Sequence, residues 1–157
     1  MSTIAKLKKD DDILVEKSTN REEKLIFDPY NSLNKEITET EIHAFLKRYN
    51  VDLTIHNFTL YKRAFVHRSY TKRPDVWNEQ NNIKIVDKPY DCNELYSKSN
   101  ERLEFLGDGV LECIAKFYLY KRFPKADVGF MTDTKIELVK NETIGRIAME
   151  MGLHKWF

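Results

Sequence analysis

A chain of 157 residues, 41% hydrophobic and 32% charged, has the size and balance of one globular domain and not of a disordered polymer. Its 26 basic and 25 acidic residues leave a net charge of +1, without the basic excess that often marks nucleic-acid-binding proteins. No apolar run approaches the roughly 18–20 residues that span a bilayer, and Met1–Asp12 lacks the apolar stretch of a secretory signal, so an intracellular protein, cytoplasmic or nuclear, is expected.

Residues 1–35 mix lysines, acids, Ser, Thr and Asn with little periodicity, and the blocks Lys6-Leu7-Lys8-Lys9 and Asp10-Asp11-Asp12 nearly cancel. They are expected to form a mostly flexible tail with one short ordered piece around Leu25-Ile26-Phe27; a basic arm touching phosphates is the alternative use of the lysines. A domain should follow over 36–157. Thr38 and Glu41 fit a capping box, and Ile42, Phe45, Leu46 and Tyr49 recur at helical spacing behind it. A second helix is predicted from Asn57 or Thr59 through Leu60, Tyr61, Ala64 and Phe65 to His67. Residues 71–99, with Pro74, Pro89 and several Asn and Asp, predict a long loop, in which Ile83-Lys84-Ile85-Val86 alternates as a short strand would. Asn100 or Ser99 should cap a helix running from Glu101 to about Arg122, stopping before Pro124. The last helix should span roughly Phe130 to Met151, with Gly152 free to take positive φ at its end. The expected architecture is all-α. Cys92 and Cys113, without a paired Cys or His at ligand spacing, read as two reduced thiols, Cys113 in a helix core.

The helix from Glu101 carries the chemistry. Leu103, Leu106, Val110, Ile114 and Phe117 gather on one face. Glu101, Glu104 and Asp108 fall at i, i+3 and i+7 on the opposite side, and Glu112 extends the row with no Lys or Arg on it before Glu112. Like charges so placed cost a few tenths of a kcal/mol per pair, roughly, in an isolated helix. Two readings follow: a solvated acidic face, or a site for a hard divalent cation that takes carboxylate oxygens.

The residues themselves narrow the choice. Asn100-Glu101-Arg102-Leu103-Glu104-Phe105-Leu106-Gly107-Asp108 resembles the signature of the ribonuclease III family. Upstream, Ala64-Phe65-Val66-His67-Arg68-Ser69-Tyr70 resembles the family's A-h-T-H-x-S stretch, where h is apolar. Downstream, Leu119-Tyr120, Phe123-Pro124, Leu138-Val139-Lys140-Asn141-Glu142 and Ile147-Ala148 follow the family's order. The resemblance extends over about residues 40–157.

That resemblance implies the helical fold of the ribonuclease III endonuclease domain. It implies a homodimer or pseudo-dimer that hydrolyses double-stranded RNA with Mg2+, or Mn2+ in its place, to 5′-phosphate and 3′-hydroxyl ends with short 3′ overhangs, in RNA processing. Glu104 and Asp108 would be metal ligands and Glu101 the accessory carboxylate, all three catalytic. His67 would position RNA or water, or serve as a hydrogen-bonded structural histidine at a helix end. Arg68 would meet phosphate or pair with an acid of the signature helix. Shape recognition through phosphates and 2′-hydroxyls suits A-form duplexes.

The sequence also departs from the family pattern. A second acidic pair, D-x-x-E, is expected on a helix after residue 157, so the C-terminal part of the domain is expected to be missing. These 157 residues should then supply half of a metal site and show little nuclease activity alone. Gly109 replaces a small residue such as Ala or Ser, and Lys135 replaces an arginine. The loop 71–99 is longer than in compact bacterial members and resembles divergent homologues of eukaryotes or large DNA viruses. A non-catalytic scaffold of the same fold, binding RNA or dimerising without cutting, is the alternative reading.

Overall fold

The computed structural model describes residues 13–17, 23–74, 76–77 and 83–156, which fall into two compact units divided between Asn100 and Glu101.

The N-terminal unit is built around three short strands, β1 (Ile13–Lys17), β2 (Glu23–Phe27) and β3 (Ile83–Ile85), in that spatial order. β1 runs antiparallel to β2 with Ile13 opposite Phe27 and Val15 opposite Leu25. β3 runs parallel to β2, Leu25 opposite Ile83 and Phe27 opposite Ile85. Successive strand residues face opposite ways. Leu25 and Phe27 accordingly point into the core, Phe27 with no exposed surface, while Ile26 is only half-buried. Ile13, Tyr70, Val76 and Leu95 complete that core, with Tyr30, Ile83, Ile85 and Tyr96 packed against it.

The all-α expectation is therefore corrected: the chain is mainly helical but carries a small sheet. The ordered piece expected around Leu25–Phe27 is the central strand, and the alternation at Ile83–Ile85 is its parallel neighbour. A second piece of that stretch is ordered as well, since Ile13–Lys17 pairs along β2. The sheet escaped prediction because a three-residue strand is stabilised by a partner far away in sequence, and no local period shows that pairing. The lysine and aspartate blocks at residues 6–12 lie outside the described residues.

Helix α1 (Glu39–Arg48) starts where the capping box puts it. The Glu41 amide donates to Thr38 Oγ1 at 3.2 Å, and the Thr38 amide donates back to the Glu41 carboxylate at 2.8 Å. Glu39 and Glu41 in the first turn and Lys47 and Arg48 in the last complement the helix dipole. Helix α2 (Phe58–Ala64) stops short of His67, which is extended and opens a 3-10 turn at Arg68–Tyr70.

Three distant segments meet at Glu36. Lys62 Nζ lies 2.7 Å from its carboxylate, the Tyr96 hydroxyl donates to the same group, and Lys62 also sits over the Tyr96 ring. Burial pulls the Glu36 carboxyl upward, but the Lys62 and Tyr96 hydrogen bonds outweigh it and hold the group below its ordinary range. The Tyr96 hydroxyl is pushed well up, by burial first and then by the Glu36 carboxylate.

The C-terminal unit comprises α3 (Glu101–Arg122), α4 (Val128–Val139), α5 (Asn141–Met151) and a closing 3-10 turn at Leu153–Trp156. Pro124 ends α3, a Phe123–Phe130 edge-to-face contact closes the turn, and Asp127 caps α4 by accepting from the Phe130 amide at 2.8 Å. The single helix expected over Phe130–Met151 is broken at Lys140, whose backbone is extended at ψ 148°. The break is locally satisfied. Thr143 Oγ1 donates to the Glu137 carbonyl at 2.7 Å, the Ile144 amide donates to the Lys140 carbonyl at 3.1 Å, and Lys140 Nζ lies 2.6 Å from the Glu137 carboxylate. Such side-chain hydrogen bonds compete with a continuous helix. Gly152 takes the left-handed cap at φ 78° that its position predicts.

Candidate active-site helix

The 22 residues of α3 form one uninterrupted helix, which places Glu101, Glu104 and Asp108 along one exposed row. Glu104 and Asp108 lie one turn apart and carry neither a hydrogen bond nor an ion pair among the described residues. Glu101 stands at the first turn, where the helix dipole favours an acid.

Glu112, the fourth acid of the row, is different. Lys116 Nζ reaches it at 2.9 Å from one turn on, and Lys135 Nζ reaches it at 3.0 Å from α4. Hydrogen bonds from Lys116 and then Lys135 hold its carboxyl below the usual carboxylate range. The Glu112–Lys116 pair is legible as an i, i+4 spacing. The Lys135 contact is not, since it depends on how α3 and α4 pack. Glu112 is thus spent on holding two helices together, and the available acidic row ends at Asp108. Lys135, which stands where an arginine was expected, anchors the packing through this single ammonium.

Among the described residues no three His, Cys, Asp or Glu side chains gather closely enough to enclose a metal ion. Glu104 and Asp108 therefore present two carboxylates to one side of a prospective cation. Hard oxygen donors on adjacent turns suit Mg2+, which keeps several waters and takes carboxylates together with substrate phosphates. The two carboxylates fit such an ion in donor type and spacing.

His67 and Arg68 belong to the N-terminal unit. His67 Nδ1 accepts from the Ser69 amide at 3.3 Å and lies 2.8 Å from Ser69 Oγ, which leaves the ring proton on Nε2. The imidazole thus caps the 3-10 turn while the residue stays exposed. Arg68 is exposed, and its guanidinium makes no ion pair among the described residues. Of the two cysteines, Cys92 is buried and Cys113 is exposed on α3. This reverses the expectation of Cys113 in a helix core: buried α3 positions are Ala115 and Leu119, while the stripe that includes Cys113 faces outward.

No helix among the described residues is long and apolar enough to cross a membrane. The family model described as the ribonuclease III domain matches residues 101–157. The chain is similar to Ribonuclease 3 of Mycoplasma genitalium, 34% identical over 120 residues that make up 76% of this chain and 38% of that protein. It is similar to Ribonuclease 3 of Azobacteroides pseudotrichonymphae, 38% identical over 98 residues, or 62% of this chain and 31% of the relative. It is also similar to a Probable ribonuclease 3 of Acanthamoeba polyphaga mimivirus, 31% identical over 129 residues, covering 81% of this chain and 23% of the relative. The chain thus spans well under half the length of these curated relatives. The match begins at the first residue of α3, the helix that bears the unpaired carboxylates, and on that match together with these relatives the chain belongs to the ribonuclease III family.

Proposed function

We propose that this chain serves in an endoribonuclease for double-stranded RNA and that Glu104 and Asp108 are ligands of its catalytic Mg2+. One observation carries the reading: on α3, within the segment matched by the family, two carboxylates stand one turn apart with no ion pair among the described residues to neutralise them. Leaving two like charges side by side is mildly unfavourable, and a site that receives a divalent ion gives a reason to keep them.

When bound, Mg2+ or Mn2+ would activate a water and offset negative charge on the phosphate. The chain's part is positional. Glu104 and Asp108 hold oxygens on a rigid helix, and Glu101 adds a third acid at the helix start. Water adds to phosphorus, the bond to the 3′ oxygen breaks, and the products carry a 5′-phosphate and a 3′-hydroxyl. Two carboxylates hold Mg2+ weakly, so residues 1–157 alone have little nuclease activity, and the working enzyme is a homodimer with further acids, acting inside the cell.

The test is made in the complete polypeptide with labelled duplex RNA. Glu104→Gln and Asp108→Asn each keep size and remove charge. Cleavage is expected to fall by about 100-fold or more, the scale of losing one group that stabilises transition-state charge. Duplex affinity should change little, because it comes mainly from phosphate contacts. Unchanged cleavage in both variants removes these residues from the metal site.

A further inference from the structure

The chain's near-neutral total conceals a local excess. Between Tyr61 and Arg73 stand Lys62, Arg63, Arg68, Lys72 and Arg73, with His67 among them and no acid. The structure sorts these cations. Lys62 is spent on Glu36, Arg63 is half-buried with its Nε enclosed, and Arg73 is buried. Arg68 and Lys72 are exposed, and neither side chain makes an ion pair among the described residues.

A second segment brings another. The Lys72 amide donates to the Tyr96 carbonyl at 2.8 Å, and the Tyr96 amide donates to the Tyr70 carbonyl at 3.3 Å. Four residues on, the Asn100 amide donates to the Val66 carbonyl at 2.8 Å, and Asn100 Nδ2 donates to the Ala64 carbonyl at 3.3 Å. Residues 96–100 are therefore tied to residues 64–72 at both ends, at Tyr96 and at Asn100. Lys98 stands between the two ties in the chain, and it too is exposed without an ion pair among the described residues. Three exposed cations without an ion pair among the described residues, and the exposed His67 imidazole, thus belong to two segments of the N-terminal unit that backbone hydrogen bonds tie together.

We propose that Arg68, Lys72 and Lys98 form a phosphate-binding ledge that takes the backbone of duplex RNA, independently of base sequence. This rests on the duplex-RNA reading above and extends it to residues outside the acidic helix. The charge is complementary to a phosphate backbone, and several cations on two tied segments suit a polyanion better than a single small anion. The exposed lysines supply point charges, and Arg68 supplies a planar fork suited to phosphate oxygens. Condensed counterions leave the nucleic acid as each such contact forms, so each contact steepens the salt dependence of binding.

The experiment measures affinity for a short blunt-ended duplex RNA across a salt series, in the complete polypeptide carrying Asp108→Asn to prevent cleavage. The triple variant Arg68→Gln, Lys72→Gln, Lys98→Gln is compared with the charge-keeping triple Arg68→Lys, Lys72→Arg, Lys98→Arg. The neutral triple should flatten the slope of log affinity against log salt by about 2–3, close to one per contact, with a loss of about tenfold or more at low salt. The charge-keeping triple should restore most of both. An unchanged slope in the neutral triple, with the fold intact by circular dichroism, overturns the ledge and leaves the nuclease reading standing. No duplex binding by the parent overturns both. If polyglutamate competes as well as duplex RNA and loses as much in the neutral triple, the surface serves acidic protein segments and the proposal fails.

Discussion

The two units use their apolar residues differently. In the N-terminal unit Ile13, Leu25, Phe27, Tyr70, Val76 and Leu95 close into a core drawn from both ends of the segment. In the C-terminal unit the buried hydrophobic residues among those described are Ala115 and Leu119, while Phe105 is 85% exposed and Ile114 and Phe117 are each 60% exposed. Yet the family match and the unpaired carboxylates lie in the second unit. Burial marks where the chain is held together, and chemistry marks where a family is recognised. Here the two do not coincide.

The sharpest way to break this comparison is to truncate an aromatic residue in each unit. Phe27→Ala should cost about 3–5 kcal/mol, the range for emptying a packed core site, and should collapse hydrogen-exchange protection along β2. Phe117→Ala, on the exposed stripe, should stay within about 0.5 kcal/mol by denaturant titration. A large loss at Phe117 would mean that the stripe is covered in solution and would erase the contrast.

A smaller effect probes how the N-terminal unit joins its distant segments. Tyr96→Phe removes the hydroxyl that donates to Glu36 and should cost about 1–2 kcal/mol at neutral pH, below the full range for a bond to a charged group because Glu36 remains partly exposed. The Glu36 carboxyl is held below its unfolded range, so its contribution is present above the unfolded carboxylate pKa and is lost as pH falls through the folded one. The gap between wild type and Tyr96→Phe should therefore narrow between about pH 5 and pH 3. A gap independent of pH would remove Glu36 from the account.

The smallest predicted effect favours the C-terminal unit. A Cβ built on Gly109 meets nothing within 4 Å, and its place inside α3 is ordinary helix. Gly109→Ala should stabilise α3 by up to about 1 kcal/mol through backbone entropy and helix propensity, read as a rise in thermal midpoint. A fall would mean that this point on α3 is approached closely by another surface.

What the sequence made legible was local. Thr38 and Glu41 announced a capping box, Pro124 the end of α3, and Gly152 the end of α5, because each effect spans only a few residues. The acidic row was equally readable, since helical spacing alone aligns Glu101, Glu104 and Asp108. Long-range pairing was hidden. Nothing near Leu25 indicates that Ile83 will lie beside it, and nothing near Glu112 indicates that Lys135 will reach it from the next helix. The break at Lys140 fell between these cases: Asn141 and Thr143 carry the signal, but the apolar period around them masks it.

The distribution of the two thiols equips the molecule with its own reporter. Cys113 lies two turns beyond Leu106 on the outward stripe of α3, whereas Cys92 is enclosed, with its thiol pushed up by burial first and by the neighbouring Asp91 carboxylate. Thiolates, not thiols, react with alkylating reagents, so a brief maleimide pulse should label Cys113 and spare Cys92. The labelling rate at that one sulfur then becomes a running gauge of whatever settles on α3, read by mass without altering a single residue.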